Sequence, residues 1–425
     1  MKLRRMSLIV LVALGLSFGC SCNKPKVPPQ QDTPSAVNTT VSAQNNDFAF
    51  QLYARYDKDG QNLFYSPYSI SSALSMCYAG AKGNTATEMA KALCFKLPAE
   101  EQHKAFAELQ KDLNDIGKRD LADLNVANAL FGAKKNEKLL LPEYIDLLRK
   151  YYYSDLYSLD FNDSKGTAKY INGWVEKRTN DRIKDLVTAE QIEDSNDGLV
   201  LVNAIYFKGK WMQKFDPAKT IKDSFYTSST KKSPETAKTV QMMSIKGKFP
   251  YAELPGCKVL EMPYEDKDLA MLFVLPDEIN YMTTSLTPKA FEEWEKSLQT
   301  KEVQAYIPRF KFEVKLEGLP DKLKQMGMID AFSENRADFT GIRRAGAGGD
   351  LYIMDIIHKA FVEVKEEGTE AAAATAVIMA TKSVAVWDEP VPIFRADRPF
   401  LYMIVHKPTN TVLFLGKFNN PDEIK

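Results

Sequence analysis

Two hydrophobic periods alternate along this chain. Asp47 to Tyr56, Pro142 to Tyr151 and Ala168 to Lys177 carry apolar residues at helical spacing. Thr85-Ala86-Thr87-Glu88 reads as a capping box opening a helix towards Leu93. Thr287-Pro288 predicts an N-cap followed by proline at the first helical position, with Phe291, Trp294 and Leu298 on one face. Between these segments, Leu199 to Phe207, Leu269 to Leu275, Glu302 to Ile307, Phe310 to Leu316, Phe400 to Val405 and Thr411 to Phe418 read as strands. Lys407-Pro408-Thr409-Asn410 has the chemistry of a tight turn between the last two. No repeat period is visible. Helices crowd the first half and strands the second, which predicts an α+β fold with sheets assembled from distant segments.

The segment Lys365 to Ser383, KEEGTEAAAATAVIMATKS, fits neither period simply. It follows the alternating run Ala360-Phe361-Val362-Glu363-Val364. Glu367, Gly368, Thr369 and Glu370 then lead into Ala371, Ala372, Ala373, Ala374 and Thr375. Alternation would send Thr369, Ala371, Ala373, Thr375, Val377 and Met379 to one face and Glu370, Ala372, Ala374, Ala376 and Ile378 to the other. The charged Glu370 assigns the second face to solvent. An alanine run alone favours helix, whereas Gly368, Thr375, Val377 and Ile378 favour a strand. Both hold for a loop that is partly helical at first and a strand later. Small side chains are what a segment needs if it must slip between two existing strands.

The chain has 425 residues, enough for one large domain, read here as 46–425. Lys+Arg and Asp+Glu are balanced at 56 each, and no basic stripe is present, so nucleic acid is not an expected partner. Residues 1–19 carry Lys2, Arg4 and Arg5 before a short apolar stretch, the form of a signal peptide. Ser17-Phe18-Gly19-Cys20 resembles a bacterial lipoprotein processing site, making Cys20 the candidate for lipidation and Cys22 the weaker alternative; a plain secretory signal is the other reading. Residues 20–45, rich in Pro, Gln, Thr, Ser and Asn, read as a disordered tether. The expected location is outside the cytoplasm, anchored in the cell envelope through lipid or secreted. Cys77, Cys94 and Cys257 have no metal-ligand or disulfide-framework spacing and read as structural thiols.

Further blocks carry a family resemblance. Asn62-Leu63-Phe64-Tyr65-Ser66-Pro67-Tyr68-Ser69-Ile70, Gly80 to Thr85 and Asn203-Ala204-Ile205-Tyr206-Phe207-Lys208-Gly209-Lys210-Trp211 are three of them. Ile307-Pro308-Arg309-Phe310-Lys311, Met326-Gly327-Met328, Ala331-Phe332-Ser333, Ala337 to Gly341 and Phe394 to Phe400 extend the set. In this order the blocks resemble the serpins over nearly the whole folded length. The resemblance implies a fold of three β-sheets, about nine helices and an exposed reactive-centre loop at about 366–393. It implies a protease inhibitor in which the cleaved loop inserts into the large sheet and drags the covalently attached protease with it. In the family register, the reactive bond joins Lys382 to Ser383, a lysine bait for trypsin-like enzymes. Met379-Ala380 and Ala380-Thr381 are alternative bonds for elastase-like enzymes, and cysteine proteases are a further possible class. Glu367 to Thr375 would form the hinge. Ser66, Ser69, Asn203 and His358 match a buried polar cluster where the sheet parts, and Trp211 the aromatic where the loop enters.

The rival class is an enzyme. His103, His358 and His406 are the only imidazoles, and no G-x-S-x-G, HExxH or phosphate-loop pattern is present. A third class is a non-inhibitory serpin acting as a binding protein or chaperone. The expectation is therefore a monomeric inhibitor of serine proteases, with no cofactor or metal and no membrane contact beyond its lipid.

Overall fold

The computed structural model describes residues 36–423 except 59, 120, 194–197, 229–231, 279–285, 345–350 and 370–389. The chain opens with α1 (Ala36–Tyr56), β1 (Leu63–Tyr65), α2 (Pro67–Gly80), α3 (Gly83–Ala92), α4 (Ala99–Gly117) and β2 (Ala122–Ala133). Next come α5 (Pro142–Tyr152), β3 (Leu156–Leu159), α6 (Ser164–Arg178), α7 (Ala189–Glu193), β4 (Leu199–Lys210) and β5 (Ile221–Tyr226). The strand-rich half holds β6 (Ala237–Leu254), β7 (Cys257–Pro263), β8 (Leu269–Pro276), α8 (Pro288–Ser297), β9 (Gln299–Pro308), β10 (Phe310–Lys315) and α9 (Leu319–Gln325). It ends with β11 (Ile353–Lys365), β12 (Gly368–Thr369), β13 (Ile393–Arg395), β14 (Phe400–His406) and β15 (Thr411–Phe418). This is an α+β fold.

The strands form a six-stranded sheet, ordered β10-β11-β12-β4-β2-β3 with β11 also paired to β4, and a nine-stranded sheet ordered β1-β15-β14-β8-β7-β6-β9-β13 with β5 on β6. The three sheets of the sequence expectation become two continuous ones because β6 is 18 residues long. Its first residues pair with β5, its middle with β9 and its end with β7. One hydrophobic core lies between the two sheets and includes Phe64, Phe207, Phe414 and Tyr402. A smaller cluster on the other face of the six-stranded sheet joins Ile171, Trp174 and Val175 of α6 to Val200 and Val202 of β4 and Ile357 of β11. The sheet is thus covered on both faces, with α6 packed directly against β2.

Two local expectations need correction. The capping box at Thr85 to Glu88 does not form, since α3 starts at Gly83, after Lys82. The Thr85 hydroxyl accepts from the Asp338 N–H at 2.9 Å, and the Glu88 carboxylate accepts from the Ile329 and Asp330 N–H groups at 2.8 and 2.7 Å. Partners from a distant loop outcompete the helix's own N-terminus for both side chains.

The second correction concerns the tether, because α1 already begins at Ala36 and residues 36–45 belong to the fold. Val41, Ser42, Gln44 and Asn45 are buried. Ser42 shares a 2.5 Å hydrogen bond with Thr411, and Asn45 donates to the Val412 carbonyl at 3.0 Å while accepting from Ser71 at 3.0 Å. Polar composition suggested disorder, but here the Ser42 hydroxyl and the Asn45 amide bond to β15 and α2. A chain starting at Asn46 should therefore lose on the order of 3–5 kcal/mol of stability from one buried valine and these hydrogen bonds. Urea unfolding would register the loss as a lower midpoint; an unchanged midpoint would contradict the packing.

Candidate functional site: a seam in the six-stranded sheet

β11 and β4 run parallel and pair directly from Ile353↔Leu199 to Phe361↔Tyr206. Beyond that point they part, and β12 occupies the gap. It lies antiparallel to both neighbours, with Val364↔Thr369 and Lys365↔Gly368 on one side and Gly368↔Lys210 and Thr369↔Gly209 on the other. The chain leaving β11 therefore turns back through Glu366 and Glu367 and re-enters its own sheet.

The fit at the head of the seam is tight. A Cβ on Gly368 would lie 2.1 Å from the Gly209 carbonyl oxygen and 2.6 Å from the Lys210 Cα, so only glycine passes between these backbones. Thr369 is fully buried, and its hydroxyl shares a 2.7 Å hydrogen bond with Tyr264. Tyr264 stacks on Trp211 with ring centroids 4.6 Å apart. The Trp211 indole donates to the Lys365 carbonyl and its backbone N–H to the Glu367 carbonyl, both at 2.9 Å. Trp211 thus clasps the reversal from both ends.

Glu366 is buried, and its carboxylate accepts from Thr220 at 2.6 Å and from Arg309 at 2.5 Å. Burial alone would raise its pKa, but the bonds from Thr220 and Arg309 outweigh it and hold the carboxyl below its ordinary range. Tyr264, Glu366 and Arg309 were not singled out from sequence as parts of this site. Glu366 stands beside Glu367 as if both were solvated, and nothing local marks the partners that bury one of them.

Where β11 and β4 remain paired, a polar chain crosses beneath them. Ser66, Ser69, Asn203 and His358, expected to meet, are brought together here. The Ser66 N–H donates to His358 Nε2 at 3.1 Å, which leaves the ring proton on Nδ1, bonded to Asn203 Oδ1. That fixes the amide: Asn203 Nδ2 donates to Ser69 Oγ at 2.6 Å and to Asn128 Oδ1. Ser69 Oγ in turn donates to Asn128 Oδ1 at 3.1 Å, and Ser66 Oγ to the Leu413 carbonyl at 2.6 Å. His358 sits opposite Asn203 across the parallel pair, and Asn128 opposite Asn203 on β2. Asn128 is the member that sequence reasoning missed; alternation in β2 marks its face, but nothing marks its partner.

Of the other expected hinge residues, Glu370, Ala371, Ala372, Ala373, Ala374 and Thr375 lie outside the described residues. So do Met379, Ala380, Thr381, Lys382 and Ser383, and Cys20 near the N-terminus. Cys77 and Cys257 are buried and Cys94 is half-buried, and none of the three is in a disulfide. Burial pushes the Cys77 thiol well above its ordinary range. No group of three or more metal-ligating side chains occurs among the described residues.

The sheet is closed at one end and parted at the other, where Gly368 and Thr369 already lie between β11 and β4. The chain belongs to the serpin family: the family model described as Serpin (serine protease inhibitor) matches residues 43–421. It is 41% identical over 395 residues to the leukocyte elastase inhibitor of Sus scrofa, covering 90% of this chain and 99% of that protein. Human thyroxine-binding globulin, solved in complex with thyroxine, superposes with a TM-score of 0.79 at 32% identity over 91% of this chain and all of that one. The native-state structure of the thermophilic serpin tengpin gives 0.79 at 26% identity, covering 92% and 96% of the two chains. The family is described as one of serine protease inhibitors, not of enzymes, and the chain is not an enzyme.

All three histidines are held neutral by burial, His358 pushed down to about 3 and His103 and His406 each to about 4. In the unfolded chain they would bind protons below about pH 6.5. Their folded values are depressed, so their contribution is complete above about pH 6.5 and is lost as pH falls towards 3–4. Each histidine costs about 1.4 kcal/mol per pH unit inside that window. The unfolding midpoint should therefore drop between pH 6.5 and 4, and His358→Gln should shallow the slope. Identical slopes for the two proteins would exclude His358 as a contributor.

Proposed function

We propose that this chain is a suicide inhibitor of serine proteases that traps its target by completing the insertion begun at β12. The observation carrying this reading is the pairing of Gly368 and Thr369 with β11 and β4 above a seam that is otherwise closed. A protease serine attacks the carbonyl carbon of the reactive bond, and the amine of the following residue leaves. The severed loop, still bearing the acyl-enzyme, continues into the sheet. A central strand of about twelve residues adds about ten to twenty hydrogen bonds at ~0.5–1.5 kcal/mol each. That sum is of the order of a whole domain's stability, enough to drive a large displacement.

In this reading, the bait is Lys382 and the bond cut joins it to Ser383, giving a trypsin-like preference. Bonds at Met379, Ala380 and Thr381 provide the elastase-like range that the similarity to leukocyte elastase inhibitor supports. The N-terminal segment is read as a signal ending before a lipidated Cys20, so the inhibitor would work at the cell envelope. Mass spectrometry of the mature N-terminal peptide separates a lipidated Cys20 from Cys22 or an unmodified chain. The competing reading is a non-inhibitory binding protein, as the hormone complex of thyroxine-binding globulin illustrates for this fold.

Two experiments decide the mechanism. Thr369→Arg would place a charge against Tyr264 in a fully buried position, so the variant should be cut by trypsin as a substrate and form no detergent-resistant complex. Wild-type protein nicked in the loop should melt at a clearly higher temperature than intact protein. A nicked form with an unchanged melting point would favour the binding-protein reading. Lys382→Ala should slow trypsin inhibition at least tenfold while sparing elastase inhibition; equal trypsin rates would move the bait to another bond.

A further inference from the structure

Three charged side chains meet where α8 lies against the turn of the β14–β15 hairpin. Lys407, in that turn, sits between Glu261 of β7 and Glu295 of α8. Its Nζ lies 2.6 Å from Glu261 Oε2 and also donates to Glu295 Oε2. Each glutamate side chain is 9% exposed and the lysine side chain 24%. One cation therefore serves two carboxylates in a largely dry corner, where an uncompensated negative charge is costly. Glu295 Oε1 is buried with no hydrogen-bond partner among the described residues.

The surrounding elements fasten this corner and bring their own charges to it. Phe291 of α8 packs on Phe50 of α1 with ring centroids 5.8 Å apart, and Asn46 of α1 donates to the Asn410 carbonyl in the turn at 2.7 Å. Lys289 and Glu292 of α8 and Asp47 of α1 line the hollow beside Glu295. Glu292 pairs with Lys296, and Asp47 with Lys96. On the other side of the turn, His406 bonds to Thr409 at 2.8 Å and faces Asp268 and Arg119. Arg119 in turn pairs with Asp266 and Asp268.

We propose that Glu295 is a proton acceptor built into the fold, and that its protonation docks α8 more firmly onto the hairpin as the medium acidifies. Protonation leaves Lys407 and Glu261 as a balanced pair. One oxygen of the neutral carboxyl still accepts from Lys407 while the other carries the proton, so the contact survives the change. Burial pushes the Glu295 carboxyl above its ordinary value of 4.5; the attraction of Lys407 opposes this without cancelling it, and the charge of Glu261 adds to it. Because the folded value is raised, the contribution to stability is complete below 4.5 and is lost as pH rises through the folded value. Glu295 thus works against the three histidines, whose contribution disappears in acid.

The test compares wild-type protein with Glu295→Gln, an uncharged side chain of the same shape, by thermal unfolding between pH 4 and pH 8. Lys407 keeps Glu261 as its partner in the variant. At pH 8 the variant should melt about 1–3 °C above wild type, and the gap should close as pH falls to 4.5. A variant melting level with wild type, or below it, at pH 8 overturns the proposal, since Glu295 would then act as an ordinary ion-pair partner. Amide exchange along α8, corrected for its intrinsic pH dependence, should slow at least threefold in wild type between pH 8 and pH 5 and stay constant in Glu295→Gln. Equal changes in the two proteins overturn the link to helix docking. Carbon-13 NMR of wild-type protein labelled at its glutamate carboxyls reads the proton without relying on the variant's folding. If every glutamate resonance titrates at or below 4.5, the proton acceptor does not exist.

Discussion

Everything in this molecule depends on the direct parallel pairing of β11 with β4. Those two strands are neighbours, yet the sheet accepts another strand between them, antiparallel to both. β12 already demonstrates that geometry over two residues. Extending it would exchange one slanted parallel ladder for two antiparallel ones, which are slightly stronger per residue and twice as many. The intact fold therefore holds an arrangement that satisfies its backbone groups without being the one that satisfies most of them. On the proposed insertion reading, the uncut chain has to reach from β12 to β13, and cleavage would release that constraint.

The polar chain under the seam makes that arrangement specific. His358, Asn203, Ser69, Ser66 and Asn128 satisfy one another at the points where β11, β4 and β2 lie side by side. A buried network of this kind stabilises when every member is bonded and costs heavily when one is left unpaired. It behaves as a latch with a defined closed position. The aromatic clasp of Trp211 and Tyr264 does comparable work at the opposite end, holding the turn through Glu366 and Glu367 so that the next residues point into the gap.

Much of this architecture was legible in the residues. β15 begins and ends where alternation put it, and Thr287 caps α8 by accepting from the Ala290 N–H. These are local signals with local causes. α2 escaped because its buried face is built of serines and small residues, whose burial is decided by β4 and β15 rather than by hydropathy. β6 escaped because Gly247, Pro250 and exposed lysines interrupt its alternation, and only its three partner strands make it continuous. The polar cluster could be assembled in advance only through family resemblance. Asn128, Tyr264 and Glu366 carry no mark of their own, since each acquires its role from residues more than fifty positions away.

The contact of Gly368 with the backbones of Gly209 and Lys210 has a further consequence. A passage too narrow for a single methyl group acts as a gauge on whatever enters first. The chain's own segment meets that gauge with Gly368, which is already seated between β11 and β4. The sheet is in this sense keyed to its own sequence. The absence of one carbon atom at residue 368 is what lets the chain re-enter its own sheet there.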